Sequence, residues 1–450
     1  MIEELRGLGM AGQRVRIPPE MDVPLSPRVT RLLDTATLRR LSRISQLGLV
    51  HLVYPGATHS RLEHSLGVYR NSLLVLQTLT SGDPPVARLG RPAAEAFVLA
   101  ALLHDIGHWP FCHAIEDMRL QGLAPHEHRV AALIGQGELN QLIRADWACG
   151  PDDVMSLLVG NRVGDSGLTD AEIEWLASCL SGPIDVDKLD YLIRDSLHAG
   201  VPYGRHFDAS RLVAAMTIAP HRNRLAISEK GRTAAEMMVF ARYVMFSEVY
   251  WHHTVRAATA MLQRSVFLLR DRVDFDAMLR LDEASWIAAW RQAAERSDSD
   301  GICRLVEGLF GPVRSLYKRV CEYNVSRSGD LHGLLSHRPY WWLAACSERL
   351  ARLLTDKAGL AVAPSDVLID APPVKLEVDI NVDVVGRDGD VRPLAEVSPV
   401  ADALAHQQFD GHVKRVRIFV RPDLRDSLKI RLTDETWIRQ AVEMTLHEIA

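Results

Sequence analysis

Cysteine is sparse in this chain of 450 residues. The six cysteines, at positions 112, 149, 179, 303, 321 and 346, form no C-x-x-C pair, so no disulfide scaffold is implied. Together with the absence of a signal-peptide pattern, this points to reduced thiols and a cytoplasmic protein. Long apolar runs are missing too. The longest, Ala93 to Leu103, is interrupted by Glu95 and is too short to span a bilayer, which excludes a membrane-embedded protein. A strong charge of either sign is also lacking. The net charge of -5 argues against a surface that seeks nucleic acid or anionic lipid as a whole, so any phosphate binding must be local. Internal repeats and low-complexity linkers are absent.

A hydrophobic content of 47% is enough for a large core, one big domain with a smaller one appended. After a leader, Pro27 to Gly48 reads as helix, with Val29, Leu32, Leu33, Leu38, Leu41 and Ile44 inward. A loop at Tyr54 to Thr58 precedes Ser60-Arg61-Leu62-Glu63-His64, a capping box that starts a new helix at Arg61. Arg61 and His64 then share a first turn, where free amides and the positive helix end favour an anion. Asp152 to Ser181 reads as helix broken at Gly160 and Gly164, and Met237 to Leu269 as one long helix. The last third changes character: Lys375 to Val385 alternates as a strand, Val413 to Val420 forms another, and a helix closes a small α+β lobe.

The most informative stretch is Ala100 to His108. Ala96, Leu99, Leu103 and Ile106 recur at helical spacing, so an apolar core helix ends at His104 and Asp105. Such a pair at the buried end of a helix is either a hydrogen-bonded histidine with a capping aspartate or two ligands of one cation. His104 and His108, four apart, share a helical face. Histidine stays dense through His113, His126 and His128. The spacing of His108, Cys112 and His113 fits no standard structural zinc site, and Cys112 reads as a small buried hydrophobe. Asp187, Tyr191 and Asp195 also lie on one helical face. That face either lines a cleft or is a solvated one with pairs such as Asp190 and Arg194. Arg242, Phe246 and Tyr250 repeat the four-residue spacing, and core packing accounts for Phe246 but not for Arg242.

Four stretches, Ser60 to His64, Leu103 to His108 with His113, Pro125-His126-Glu127, and Asp185 to Lys188 with Tyr191 and Asp195, together resemble the HD-domain deoxynucleoside triphosphate triphosphohydrolases, the branch of the human SAM-and-HD-domain enzyme and its bacterial relatives. The resemblance runs from about Asp34 to about Ala257. It implies a mainly α fold: a leader with first helices (1–50), an HD-domain helical core (51–320) and a small C-terminal α+β lobe (321–450). It implies His64, His104, Asp105 and Asp187 as ligands of a divalent metal, Mn, Fe, Co or Mg by donor type with Zn not excluded. By the same resemblance His113 and His126, with His108 and Glu116, stand near the scissile phosphate. Arg61, Lys188 and Arg242 clamp the triphosphate. Gln46 and Asp195 read the sugar 3′-hydroxyl, Tyr191 packs under the deoxyribose and Tyr250 closes the pocket.

The activity so implied is hydrolysis of a dNTP to deoxynucleoside and triphosphate, by a homo-oligomer without membrane or nucleic-acid partner. The rivals are an HD-type nucleotide phosphatase or phosphodiesterase, and a nucleotide-binding regulator without catalysis. The chain departs from the family in several places. Trp109 replaces a glycine, Phe246 stands where the human enzyme has histidine, and Glu116 stands where aspartate is usual. The family's Asp-Pro-x-His-Gly regulatory segment is replaced by Ile17-Pro18-Pro19-Glu20, and Ser42 takes the place of an arginine that holds guanine nucleotide. The resemblance therefore does not carry over regulation by that nucleotide.

Overall fold

The computed structural model describes residues 2–9, 12–80, 88–219, 222–372, 382–404 and 413–449. The fold is mainly helical, as expected, with a helical core and a small sheet-containing lobe. Three helices position the histidines and carboxylates of interest: Arg61–Thr80, Arg91–Leu103 and Val186–His198. The first packs against both of the others. Arg91–Leu103 is buried at every position from Ala93 to Leu103, as expected of a helix apolar all round. Among the described residues, no helix is long and apolar enough to cross a membrane.

Local chemistry explains several helix boundaries that differ from the sequence periodicity. The span expected as one helix from Pro27 to Gly48 is two, Pro27–Leu33 and Ala36–Leu41. Thr35 ends the first and caps the second, its hydroxyl accepting from the Leu38 amide. Met237 to Leu269 is likewise divided, into Arg232–Met245, a π-helical turn Phe246–Tyr250 and His253–Leu269. The wide turn re-aims Tyr250, and π-turns of this kind recur at functional sites. The Arg91–Leu103 helix stops one residue before His104, so His104 and His108 do not share a helical face as their spacing predicts. Instead, a turn carries His104 to Gly107.

Three sheets complete the fold among the described residues. Arg14–Ile17 and Met21–Pro24 form a hairpin. A second sheet has the order Met216–Ile218, Leu225–Ser228, Asp383–Val385, Val391–Pro393, with the two central strands parallel. The third places Val416–Val420, buried throughout, between Lys318–Tyr323 and Val367–Asp370. Of the strand expected over Lys375 to Val385, residues 375–381 lie outside the described residues, and Asp383–Val385 is strand. The buried apolar residues fall into three clusters. One spans the N-terminal segment and the histidine helices, one centres on the His253–Leu269 helix, and one lies around the third sheet. Val382, Val384, Leu394, Ala401 and Leu404 join the first cluster, although they lie far along the chain in the region expected as the C-terminal lobe.

Glu95, which interrupts the apolar run, is fully buried and has a structural partner. Its carboxylate accepts from Arg28 at 2.7 Å, Arg91 at 2.8 Å and the Ala148 amide at 2.5 Å. Arg28 also bonds Glu4 and lies over the Trp147 ring at 3.8 Å, which ties the N-terminal segment to the core. Burial opposes the charge on Glu95, yet these donors hold its carboxyl below the usual range. Glu95→Gln should therefore destabilise the fold by about 3–5 kcal/mol, because Arg28 stays buried with part of its compensation gone. A group whose folded pKa is depressed contributes stability above its unfolded pKa and loses it as pH falls through the folded value. Urea unfolding at neutral pH should show the full gap between the two proteins, and the gap should narrow in acid.

Candidate metal centre and active site

Four donors converge where the three helices meet. His64 Nε2 lies 2.9 Å from Asp187 Oδ1 and 3.3 Å from His104 Nε2. His104 Nε2 lies 3.3 Å from Asp105 Oδ1 and 3.9 Å from Asp187 Oδ1. The other ring nitrogen of each histidine is occupied. His64 donates Nδ1–H to Asp190 at 2.8 Å, and His104 donates Nδ1–H to the Ala101 carbonyl at 2.9 Å. Those bonds set the tautomers, so both Nε2 lone pairs point into the same space between two carboxylates. Two lone pairs 3.3 Å apart repel unless a proton or a cation lies between them. The donor set, two imidazoles and two carboxylates with carboxylate and carbonyl acceptors behind the imidazoles, fits a divalent metal ion.

Electrostatics agree with that fit. Burial opposes a charge on His64, yet Asp187 and Asp190 raise its pKa to about 10. Asp187 resists burial in the same way and is held at about 2 by His64, His104 and Lys188. The pocket thus draws positive charge strongly. Asp105 is likewise held ionised despite burial, with the Arg61 guanidinium bonded directly to it.

The carboxylate behind His64 was not singled out in the sequence. Asp190 and Arg194 read there as a possible solvated pair, but they are 2% and 1% exposed. Arg194 holds both Asp190 oxygens, at 2.8 and 2.7 Å, and donates to Glu63 and to the Pro18 carbonyl. The one signal available was Gly67, a poor helix former inside a long helix. A Cβ there would sit 1.8 Å from Asp190 Oδ1 and 2.5 Å from Arg194 Nη2, so only glycine lets the ion pair reach His64.

A second group of histidines adjoins the first through Asp105. Its Oδ1 is 3.1 Å from His108 Nδ1, while its Oδ2 accepts from Arg61 at 2.8 Å. The His108 ring lies 3.7 Å from that of His126 and 5.0 Å from that of His113. Glu116 accepts from His126 through both the main-chain amide, 2.6 Å, and Nδ1, 3.0 Å. Burial raises the Glu116 carboxyl but the His126 contacts outweigh it and hold it below its usual value. Gly107 permits this approach, since a Cβ there would lie 2.2 Å from the His126 carbonyl. His113 is exposed and the other three are buried or half-buried.

The remaining predicted residues lie along the Val186–His198 helix and opposite it. Asp195 accepts from the Tyr250 hydroxyl at 2.6 Å and from His59 Nε2 at 2.9 Å. The Tyr191 and Tyr250 rings are 6.5 Å apart. His59, not anticipated, stacks on His198 at 4.3 Å, and His198 bonds Glu63 at 2.9 Å. Polar contacts therefore run from Asp195 back to Arg194 and Asp190. Gln46 Oε1 is buried without a partner among the described residues. Lys188 and Arg242 both line a cavity of about 470 Å³. Lys188 also bonds Asp185 at 2.6 Å.

Gly67→Ala should push Asp190 away from His64 and weaken metal binding about 10- to 100-fold, the range seen when the partner of a ligating histidine is lost. Isothermal titration with Mn²⁺ measures this. An unchanged affinity in a folded variant would show that Asp190 does not support a metal ligand.

Comparison with known proteins adds the following. The HD domain model matches residues 61–150 and the HD associated region model matches residues 207–443. The chain is 34% identical over 233 residues to the uncharacterized protein YwfO of Bacillus subtilis, covering 52% of this chain and 50% of that one. It is 26% identical over 423 residues to the deoxynucleoside triphosphate triphosphohydrolase SAMHD1 of Gallus gallus, covering 87% of this chain and 66% of that one. The chain thus spans about half the length of the Bacillus protein. Among solved structures, a hypothetical protein from Aquifex aeolicus superposes with a TM-score of 0.68 at 25% identity, covering 93% of this chain and 99% of that one. With its histidines and carboxylates in the HD segment and the associated region extending over more than half of the chain, the protein belongs to the HD-domain family that carries the HD associated region.

Proposed function

We propose that the protein is a metal-dependent hydrolase that converts deoxynucleoside triphosphates to deoxynucleoside and triphosphate. The observation that carries this reading is the pairing of a four-donor centre, His64, His104, Asp105 and Asp187, with an adjoining proton-transfer group, His113 and His126 backed by Glu116. The similarity to the avian triphosphohydrolase supports the substrate class.

His64, His104, Asp105 and Asp187 would hold a divalent ion, which when bound would supply Lewis-acid activation of water and of a phosphoryl oxygen. The chain's own residues do the rest. Asp190 and Ala101 fix the two imidazoles, and Arg61 fixes Asp105. Tyr250 and Asp195 orient the sugar, Tyr191 packs beneath it and excludes a 2′-hydroxyl, and Gln46 offers its unpaired oxygen. Lys188 and Arg242 neutralise the outer phosphates. Water attacks the α-phosphorus, the bond to the 5′-oxygen breaks, His126 or His113 gives that oxygen a proton, and the proton lost by the attacking water returns to the histidine pair. Glu116 orients His126 and restores its charge balance. Acid catalysis of this kind contributes about 10²- to 10⁴-fold. Departure of pyrophosphate needs no such proton and would leave these histidines idle.

One observation favours the reading as an HD-type phosphatase or phosphodiesterase. Arg61 and Lys188 are bonded to Asp105 and Asp185, so a triphosphate must draw Lys188 away from its partner. Product analysis separates the two. Incubation with each dNTP and Mn²⁺ should yield deoxynucleoside with intact triphosphate by anion-exchange chromatography, with NTPs slower. Nucleoside monophosphate with pyrophosphate, or orthophosphate released from dNMP, would assign the chain to the rival. Asp187→Asn should lose both bound metal and turnover, and full metal occupancy in that variant would remove Asp187 from the ligand set.

A further inference from the structure

The turn after the four-donor centre brings together three further side chains. His108, Cys112 and His126 can each offer one ligand atom within 4.8 Å of the others. Cys112 is 1% exposed and His108 2%, and the His126 ring is also largely covered. The Nδ1 atoms of both imidazoles are occupied. His108 donates to the Asp105 main-chain carbonyl at 3.2 Å, with Asp105 Oδ1 3.1 Å away, and His126 donates to Glu116 at 3.0 Å. Both rings therefore present Nε2 as a lone pair, each with a carboxylate behind it, the arrangement that orients ligating histidines.

For His108 that lone pair is buried and has no hydrogen-bond partner among the described residues. Leaving such an acceptor unsatisfied in the interior is unfavourable. Cys112, read from the sequence as a small hydrophobe, is buried as expected but stands beside two imidazoles.

We propose that His108, Cys112 and His126 form a second cation site, distinct from the His64, His104, Asp105 and Asp187 centre, that takes a thiophilic divalent ion of the zinc type. A thiolate with two imidazoles suits such an ion better than Mg²⁺ or Mn²⁺. The fourth position is left for water or for His113, whose ring lies 5.0 Å from that of His108 and 5.7 Å from that of His126. Burial and Glu116 hold Cys112 as the thiol while no ion is bound. Binding forms the metal–sulfur bond and releases the thiol proton to solvent. Occupation also consumes His126 Nε2, so zinc suppresses turnover. That consequence rests on the hydrolase reading, whereas the site itself does not.

The test is cobalt titration of the full-length, metal-stripped protein, followed by absorption. Two equivalents should bind, with a thiolate-to-cobalt charge-transfer band in the near ultraviolet. Cys112→Ser should bind one equivalent and lack the band, while Asp187→Asn should lose the other equivalent and keep the band. If Cys112→Ser does not fold, zinc-edge X-ray absorption of the native protein should still find one sulfur in the coordination shell. A band that survives in Cys112→Ser, or a zinc shell without sulfur, overturns the site. Neither readout involves turnover, so failure to hydrolyse dNTPs beside an intact sulfur-bound cobalt signal would overturn only the hydrolase reading.

Discussion

The ion pair of Asp190 with Arg194 is the constraint on which the candidate metal centre depends. Two opposite charges are buried almost completely, and burying them is tolerable only because the geometry satisfies both groups. Arg194 spends its donors on both oxygens of Asp190, on Glu63 and on a main-chain carbonyl. Asp190 in turn accepts from His64. Without that carboxylate the imidazole is free to rotate or to adopt the other tautomer, and the converging lone pairs are lost. Gly67 is the steric condition for all of this, because any side chain there would occupy the position of the carboxylate.

Two aspartates then distribute the chemistry. Asp105 faces His104 and His108 with one oxygen and Arg61 with the other, so it joins the four-donor centre to the histidine group around Glu116. Asp195 joins Tyr250 to His59, and the stack of His59 on His198 leads to Glu63 and back to Arg194. A change at Asp195 or Tyr250 and a change at the four-donor centre therefore act on one connected set of buried polar groups. Such sets strengthen one another in a low-dielectric interior and are costly when incomplete.

The scaffold holds these groups by contacts remote in sequence. The helices that carry His64 and Asp187, and the one that ends just before His104, belong to the same apolar cluster as the N-terminal hairpin and residues 382–404. Arg28 ties the N-terminal segment to Glu95 on the helix that ends at His104. The site is thus braced by the N-terminal segment and by residues 382–404.

Much of this was legible in the sequence. The helix start at Arg61, capped by Ser60, the apolar helix ending at His104 and the helix carrying Asp187, Tyr191 and Asp195 all follow from local periodicity and capping, which depend on neighbours within a few residues. The donor types followed from the residues themselves. Other features were decided only by tertiary structure. Asp190 and Arg194 present the same local pattern as a solvated pair, and only packing against Gly67, with His64 126 positions from Asp190, turns them inward. The breaks at Thr35 and at the π-turn before Trp251 depend on capping and packing that periodicity does not encode. Cys112 meets His126 only because Gly107 lets one backbone approach another. Local rules see the period of a helix; which face it buries, and against which distant charge, is settled by long-range packing alone.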